Sequence, residues 1–455
     1  MKRISFAYIL LILLGISTSC STKQVGPVQQ GPFTAVVHPD WIKSAVMYEV
    51  NVRQYTPEGT FNAFSEKLPR LKELGVDILW LMPINPIGVI NRKGPLGSYY
   101  SVKDYKGINP EFGTMDDFKA LVKKTHDLGM HLIIDWVPNH SSWDNPLITE
   151  HPEWYAKDSL GTMFSPWDWT DVVKFDYGQK PLRDYMIETM KYWLTETRLD
   201  GFRYDVAHQV PVDFWNEVRP ALQKVKPDIL LLAEAEQRPL HERSMDLTYG
   251  WELHHIMNQV AQGKQTAADV DAYFERAAKD YNTNDIRIYF TSNHDENSWN
   301  GTEWERMGKA TDVMTVFTYT IPGMPLVYSG QEAGSTKRLK FFEKDQIDWS
   351  NRRFFALYQK LDQLKKDNSA LWNPGFGGNY QRLTTGKDKQ VLAFKRELGT
   401  NSVIVVLNMC AESVTIKLSP ESAGGKYTGY FTGSRTKPSS QPISLEPWGY
   451  FVFTK

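Results

Sequence analysis

Several chemical signatures are missing from this sequence of 455 residues, and each absence excludes a class of function. The formal net charge is -1, which gives no electrostatic reason to expect binding to nucleic acid or to an anionic membrane surface. No Gly-rich phosphate loop follows an apolar run, so a nucleotide-binding fold is disfavoured. A Ser nucleophile on a strained elbow, a Cys nucleophile and a dense His cluster for zinc are also missing. The chemistry must therefore come from other polar residues.

Cysteine is almost absent, because the chain contains only Cys20 and Cys410. Cys20 follows a charged start at Lys2 and Arg3 and an apolar run at positions 4–16. This pattern is typical of a secretory signal, and the run is too short to span a bilayer as a mature helix. The small residues just before Cys20 resemble those of a bacterial lipoprotein signal, whose cysteine is lipidated after cleavage.

This N-terminus predicts a signal peptide at 1–20, lipidation of Cys20 and a polar tether at 21–44. We therefore expect a protein of the cell envelope, with a lipid anchor at Cys20 on the periplasmic or cell-surface face of the outer membrane. The alternative is an ordinary cleaved signal in which Cys20 is incidental. If Cys20 is acylated, Cys410 has no partner for an intramolecular disulfide, and stability must come from packing.

Eight short apolar or β-branched runs recur between residues 45 and 334, with amphipathic helical stretches between most of them. The runs are AVMYEVNV (45–52), DILWLMP (77–83), HLIIDWVPNH (131–140), GFRYDVAH (201–208), ILLLAEAE (229–236), MDLTYG (245–250), IRIYFTSNHD (286–295) and PLVYSGQE (325–332). Apolar strands that alternate with helices indicate a parallel sheet covered by helices. Eight such units fit a (β/α)8 barrel better than an open doubly wound sheet.

Two segments depart from this alternation. A Trp-, Asp- and Pro-rich connection follows the third run, and a connection of its length is usually functional in a compact domain. We predict an excursion domain there, at 141–178, within a catalytic barrel that spans 45–368. After residue 368 the pattern changes to short alternating strands separated by Gly, Pro and Ser, which predicts a C-terminal antiparallel β-sandwich at 369–455.

The ends of the predicted barrel strands are rich in carboxylates, and catalytic residues of such barrels lie at the C-terminal strand ends. The polar residues at these ends are Asp135, Asn139, His140, Arg203, Asp205, Glu234, Glu236, His294, Asp295 and Glu332. Several converging carboxylates with few metal-type histidines point to cleavage of glycosidic bonds. A metallohydrolase is a poorer interpretation, because the set lacks the His-rich ligands of a zinc site.

Two pairs of residues carry most of this prediction. Arg203 and Asp205 are two apart on a strand and face the same way, so the arginine is expected to favour the ionised carboxylate that a nucleophile needs. Glu234 follows an apolar strand and could donate a proton to a leaving oxygen. Glu236 would share its face if the strand continued, and composition alone does not choose between them.

With these residues placed, the chain resembles the α-amylase superfamily of glycoside hydrolases from about residue 45 to residue 455. The resemblance is carried by four motifs in the right order, DWVPNH (135–140), GFRYDVAH (201–208), LLAEAE (231–236) and FTSNHD (290–295). It implies that Asp205 is the nucleophile of a retaining mechanism, that Glu234 rather than Glu236 is the acid/base, and that Asp295 stabilises the transition state.

The resemblance also implies a set of substrate-binding residues. Tyr100 is expected to stack on the sugar that is cleaved, His140 and His294 to bind its hydroxyls, and Arg203 to orient Asp205. His208 stands where many members carry Lys, on the leaving-group side, and this departure leaves the acceptor contacts open. Asp135 is expected to be a structural partner of the cluster.

A calcium ion is a further implication of the resemblance, with Asn139 matching a family ligand and Asp176 as a second candidate. No organic cofactor is expected. The predicted substrate is an α-1,4-glucan or a maltooligosaccharide. The alternatives are a transglycosylase, an enzyme for α-1,6 links or for a disaccharide, and a catalytically silent glucan-binding lipoprotein. Intact Asp205, Glu234 and Asp295 argue against the silent binder.

Overall fold

A computed structural model of the protein describes residues 36–455. The predicted signal peptide, the lipidation site Cys20 and most of the predicted tether lie outside these described residues. Within the described range, none of the helices combines the length and the apolar character that crossing a membrane requires.

The centre of the fold is a closed barrel of eight parallel strands. The strands, numbered here as barrel strands 1 to 8, are Met47–Val50, Ile78–Leu81, His131–Trp136, Gly201–Tyr204, Leu230–Ala233, Leu247–Tyr249, Ile286–Tyr289 and Met324–Tyr328. Each pairs with the next, and barrel strand 8 closes against barrel strand 1. Seven of the eight predicted runs contain one of these strands and the eighth overlaps barrel strand 8 from residue 325, so the predicted (β/α)8 class is confirmed.

Helices cover the outside of the barrel. The longer ones are Leu68–Leu74, Met115–Asp127, Lys180–Thr197, Val212–Gln223, Trp251–Ala261, Ala267–Asp280, Thr311–Thr320 and Phe355–Asp367. Short α-helices span Val52–Tyr55, Phe61–Ser65, Leu147–Glu150, Pro239–Arg243, Glu303–Met307 and Pro420–Ala423. The helix Met115–Asp127 begins at a capping box, in which the Thr114 and Asp117 side chains satisfy each other's backbone N–H groups.

The segment just before barrel strand 1 packs against the N-terminal end of the barrel. The His38 side chain bonds the Asp246 carboxylate at 3.0 Å and the Asn284 carbonyl at 3.0 Å. Trp41 stacks on His131 with ring centroids 3.8 Å apart, and Ile42 is fully buried. This last part of the predicted tether (21–44) is therefore an ordered part of the barrel.

The excursion after barrel strand 3 is a small unit built around a two-stranded antiparallel sheet. The strands are His140–Ser142 and Val172–Lys174. Trp154 is 5% exposed and stacks on His151, so it is a packing residue of this unit. The excursion brings its second half, around Trp169, back to the C-terminal face of the barrel.

The C-terminal region is antiparallel. Six strands form one sheet in the spatial order Asn379–Leu383, Val391–Leu398, Asn401–Asn408, Tyr450–Thr454, Tyr427–Gly429 and Arg435–Thr436. Two further strands, Val414–Ile416 and Ile443–Leu445, pair with each other and share an apolar core with the larger sheet. The predicted C-terminal β domain is thus confirmed.

One glycine matters for the placement of the candidate site. Gly201 opens barrel strand 4, where a Cβ would lie 1.8 Å from the carbonyl oxygen of Leu230 on barrel strand 5. Only glycine allows the two strands to approach this closely at that level. The residues at their C-terminal ends, Asp205 and Glu234, are brought side by side as a result.

Candidate active site

One buried guanidinium joins the carboxylates of three barrel strands. Arg203 Nη1 donates to both oxygens of Asp135 at 2.9 and 3.0 Å and to Asp205 Oδ1 at 3.1 Å. Arg203 Nη2 lies 3.0 Å from Glu234 Oε2. Arg203 and Asp135 are fully buried, and neither lines the open cavity. The predicted residues of barrel strands 3, 4 and 5 therefore form one cluster, with Asp135 as its structural anchor.

The electrostatics of this cluster differ from the expectation for Asp205. Burial raises the pKa of Asp205 well above its ordinary value, and the neighbouring Glu234 charge raises it further. Arg203 opposes both effects, but its single charge is shared with Asp135 and Glu234. Burial likewise raises the pKa of Asp135 to about 6. Arg203 therefore favours the ionised form of Asp205, as expected, but the net direction of the Asp205 pKa is upward because desolvation outweighs one shared cation.

A second hydrogen-bonded chain supports the predicted residues of barrel strand 7. His294 Nδ1 lies 2.5 Å from Glu49 Oε1, and His294 Nε2 lies 2.8 Å from the Tyr100 hydroxyl and 3.2 Å from Asp295 Oδ2. The Tyr100 hydroxyl donates to Asp135 Oδ2 at 3.0 Å. Burial alone would lower the pKa of His294, but the Asp295 and Glu49 charges outweigh it and raise this pKa to about 9. His294 is therefore an imidazolium at neutral pH.

Glu49 offers a direct test of this chain. Glu49→Gln keeps the shape of the side chain and removes its charge, so we expect the pKa of His294 to fall below its wild-type value of about 9. Because the folded pKa of about 9 exceeds the ordinary 6.5, His294 adds stability below pH 6.5 that is lost as the pH rises through 9. In Glu49→Gln, the stabilising contribution of protonated His294 should be lost at a lower pH than in the wild type. Imidazole NMR and denaturant unfolding at pH 6, 7.5 and 9 measure both quantities.

The matched control is Glu66→Gln, which removes the charge of an exposed glutamate paired with Lys124. This control should leave both the His294 titration and the pH dependence of unfolding unchanged. A His294 pKa that stays near 9 in Glu49→Gln would show that Glu49 does not hold the proton on the imidazole.

The geometry separates the two glutamates that follow barrel strand 5. Glu234 lines the same cavity as Asp205, and its Oε2 accepts the Val206 N–H at 2.8 Å. Val206 has φ 46° and ψ 39°, a left-handed conformation that is unfavourable for a β-branched residue. Glu236 turns away, accepts the Glu252 N–H at 3.0 Å and lines a different surface cavity. Only Glu234 is therefore placed to act together with Asp205.

The cavity at the C-terminal face of the barrel encloses about 590 Å³. Its lining residues are Lys93, Ser98, Tyr100, His140, Asp168, Trp169, Asp171, Val172, Asp205, Val206, Glu234, His294, Asp295, Trp299, Phe341 and Phe342. Arg203, another of the predicted site residues, lies beneath this cavity and does not line it. His208 is exposed on the turn Ala207–Gln209, outside the lining set. A cavity of this size with aromatic walls and converging carboxylates suits a short oligosaccharide.

His140 is placed differently from His294. It is buried, and burial lowers its pKa to about 3, so its imidazole is neutral. Its ring lies 5.5 Å from that of Trp169 at the wall of the cavity. A neutral imidazole both donates and accepts hydrogen bonds, which suits contact with a sugar hydroxyl.

The two candidate calcium ligands lie at the base of the excursion. The Asn139 carbonyl accepts the Phe175 N–H, and the Asp176 carboxylate accepts hydrogen bonds from Gly178 and Gln179. In the part of the chain that the structure describes, no three His, Cys, Asp or Glu side chains gather as metal ligands. Calcium prefers six to eight oxygens, so this pair alone does not make a cage. Calcium stays a prediction, and no step below depends on it.

Sequence reasoning missed several residues that line or support the cavity. They are Glu49, Lys93, Asp171, Val206, Trp299, Phe341 and Phe342. One signal was available for Glu49, since it is a carboxylate within an otherwise apolar strand run. No comparable signal marked the aromatic residues, because their position depends on how three loops meet.

Comparison with known proteins covers nearly all of the described chain. Residues 37–169 and 149–376 match the family described as Alpha amylase, catalytic domain, and residues 381–452 match that described as Maltogenic Amylase, C-terminal domain. The Alpha-amylase MalA of Haloarcula japonica is 27% identical over 434 residues, which cover 90% of this chain and 62% of that protein. The chain thus spans less than two thirds of the length of this relative.

Two crystal structures are similar over nearly their whole length. An alpha-amylase from Lactobacillus plantarum is 31% identical with a TM-score of 0.82, covering 91% of this chain and 99% of that one. The noncanonic maltogenic alpha-amylase AmyB from Thermotoga neapolitana is 29% identical with a TM-score of 0.80, covering 91% and 97%. Both similarities span the barrel and the C-terminal domain together.

Proposed function

Because the chain belongs to the α-amylase family of glycoside hydrolases, we propose that it hydrolyses α-1,4-linked glucans and maltooligosaccharides with retention of anomeric configuration. The observation that carries the proposal is the pairing of Asp205 and Glu234 through the one guanidinium of Arg203 at the floor of the cavity. Retaining glycosidases need two carboxyl groups that lie close together, one to attack and one to transfer a proton.

In the first step, a carboxylate oxygen of Asp205 attacks the anomeric carbon. The bond from that carbon to the glycosidic oxygen breaks, and the Glu234 carboxyl group donates its proton to the departing oxygen. The hydrogen bond from Val206 N–H to Glu234 Oε2 fixes the orientation of that carboxyl group. The product of this step is a glycosyl ester on Asp205 and a free sugar chain.

In the second step, water replaces the departed chain. Glu234, now a carboxylate, takes a proton from the water as its oxygen bonds to the anomeric carbon, and the bond to Asp205 breaks. Asp205 becomes a carboxylate again, and Glu234 is again protonated. The two inversions together retain the configuration of the sugar.

The remaining cavity residues act on the sugar that is cleaved. Asp295 is half-buried and would accept hydrogen bonds from hydroxyls that strengthen as the ring distorts. The imidazolium of His294 holds Asp295 and Tyr100 in place, and the face of Tyr100 would support the sugar ring. Arg203 acts through Asp205 and is a positioning residue.

We also propose that the protein works in the cell envelope, held by a lipid on Cys20. The proposal is supported by the charged start, the short apolar run and the small residues before Cys20. Metabolic labelling with a fatty-acid analogue should mark the full chain and not Cys20→Ser. Labelling that persists in Cys20→Ser would contradict the anchor.

The reaction is tested on the protein lacking residues 1–20, offered maltooligosaccharides, pullulan, trehalose and sucrose. We expect cleavage of maltooligosaccharides, with the α-anomer released first in NMR spectra recorded during the reaction. Initial release of the β-anomer would contradict retention. Turnover of none of these sugars would contradict the hydrolase, and products longer than the substrate would reveal glycosyl transfer.

A further inference from the structure

Asp295 is carried by a loop, residues 291–301, that follows barrel strand 7 and is called here the Asp295 loop. It contains the π-helical turn Glu296–Asn300, which begins directly after Asp295. Single π-turns are rare and are frequent at functional sites. Loops are usually more mobile than the elements they connect, yet a group that acts in the transition state must be placed within a fraction of an ångström. Other contacts must therefore hold this loop.

One buried guanidinium outside the cavity ties the two ends of the Asp295 loop together. Arg306 Nη2 donates to the Thr291 carbonyl at 2.7 Å, and Arg306 Nε donates to the Gly301 carbonyl at 2.9 Å. Arg306 Nη1 lies 3.6 Å from Oε2 of Glu296, the residue that follows Asp295. Compact loops whose ends are held close in this way are frequently functional.

The guanidinium is itself oriented from behind. Arg306 Nη1 donates to Asn258 Oδ1 at 2.8 Å, and Asn258 Nδ2 donates to the His254 carbonyl at 2.9 Å on the same helix, Trp251–Ala261. Arg306 and Asn258 are both buried. All three nitrogens of the guanidinium are therefore engaged, in directions that the single ammonium of a lysine cannot reproduce.

The short helix that carries Arg306 makes a second connection to the same end of the loop. This helix, Glu303–Met307, begins at a capping box. Oε2 of the buried Glu303 accepts the Thr291 hydroxyl at 2.8 Å and also bonds the Gln331 side chain, which follows barrel strand 8. Thr291 is thus held through its carbonyl by Arg306 and through its hydroxyl by Glu303.

The middle of the Asp295 loop is attached to a different neighbour, the segment after barrel strand 8. Asn297 donates to the Lys337 carbonyl at 3.1 Å and accepts the Leu339 N–H at 2.8 Å. The Ser298 hydroxyl donates to the Leu339 carbonyl at 3.0 Å. A change at Arg306 should therefore release the ends of the loop and shift Asp295, while the middle stays attached.

We infer, on the basis of the proposed function, that Arg306 is a positioning residue of the reaction. It does not line the cavity, and it acts by fixing the direction from which the Asp295 carboxylate meets the sugar hydroxyls. The hydrogen bonds of Asp295 strengthen in the transition state, so a displaced Asp295 lowers kcat more than it weakens substrate binding. A displacement of about 1 Å can cost about 10²-fold in rate.

The first test is Arg306→Lys, which keeps the positive charge and loses the contacts to both carbonyls. We expect kcat for maltotetraose to fall about 10²-fold while KM changes less than about threefold. The matched control is Arg338→Lys, at an exposed arginine paired with Glu305 of the same short helix, and kcat should not change. An unchanged kcat in Arg306→Lys would overturn the inference.

A second variant leaves every buried charge in place. Asn258→Ala keeps Arg306 and removes the acceptor that orients its Nη1 atom. We expect kcat to fall about tenfold, again with little change in KM. This variant decides the question if Arg306→Lys does not fold, because an unchanged kcat in Asn258→Ala would contradict a positioning role for Arg306.

A double-mutant cycle separates positioning from a general weakening of the fold. In the Asp295→Asn background no carboxylate remains to be placed, so Arg306→Lys should cost less than about threefold in kcat. The activated substrate 4-nitrophenyl α-maltoside keeps these low rates measurable. A loss of the same size with and without Asp295 would show that Arg306 is merely structural and would overturn the inference.

Amide hydrogen exchange tests the closure of the loop without any substrate. In Arg306→Lys the amides of residues 291–301 should exchange at least about tenfold faster, while those of the barrel strands are unchanged. Unchanged exchange in the Asp295 loop would overturn the inference even if the enzyme is active. Failure of the wild type to cleave any α-glucan would instead contradict the proposed function, so the two failures are distinguishable.

Discussion

Asp205→Asn is expected to lower kcat/KM for maltooligosaccharides by about 10⁵-fold, because an amide cannot form the glycosyl ester. The change removes a negative charge from a cluster in which one guanidinium serves three carboxylates. The fold should therefore tolerate it. Initial rates with maltotetraose, together with unfolding by denaturant, measure both effects.

The pH dependence of stability gives this variant a second signature. The folded pKa of Asp205 is raised, so its ionisation in the folded protein costs free energy. Its contribution to stability is present below the ordinary pKa of Asp and is lost as the pH rises through the raised pKa. The Asp205→Asn variant does not lose stability in this way as the pH rises. It should therefore be at least as stable as the wild type at pH 7. A variant that is inactive because it is unfolded would refute this account of the cluster.

Glu234→Gln is expected to lower kcat about 10⁴-fold for maltooligosaccharides, whose leaving oxygen needs a proton. The rate of the first step should fall far less with 4-nitrophenyl α-maltoside, because nitrophenolate leaves without protonation. Added azide should then accelerate turnover, since it attacks the glycosyl ester without a general base. Measurements with both substrates, with and without azide, separate the proton donor from the nucleophile.

The matched control is Glu236→Gln, which changes the other glutamate of the same loop. Burial raises the pKa of Glu236 to about 7, so pKa alone would make it a candidate acid. Its carboxylate nevertheless lies in another surface cavity, away from Asp205. Its substitution should alter kcat less than threefold. If the two glutamine variants proved equally damaging, the assignment of the acid/base would have to be revised.

The barrel and the reacting carboxylates could be predicted from the sequence because each depends on local order along the chain. Apolar runs mark the strands, and in a parallel barrel their C-terminal ends all meet at one face. Asp205, Glu234 and Asp295 therefore had to converge once the strands were identified. Choosing Glu234 rather than Glu236 as the acid/base required the resemblance to the α-amylase superfamily. The geometry of the loop after Ala233 supplies the physical reason for this choice.

What could not be predicted depends on contacts between distant segments. Glu49 lies 245 residues before His294 in the chain, and nothing in either strand indicates that the two side chains meet. The direction of the Asp205 pKa shift required the degree of burial and the sharing of Arg203, which a sequence does not give. The aromatic residues Trp299, Phe341 and Phe342 line the cavity only because separate loops are placed together, and residue spacing carries no information about that.

A covalent bond between Asp205 and the sugar is the central feature of the proposed mechanism. A fluorinated α-maltosyl fluoride that reacts quickly in the first step and slowly in the second should trap this ester. After proteolysis, mass spectrometry should find the glycosyl group on Asp205 in the wild-type protein and on no residue in Asp205→Asn. A glycosyl group on Glu234 or Glu236, or release of the β-anomer without any trapped ester, would contradict the mechanism.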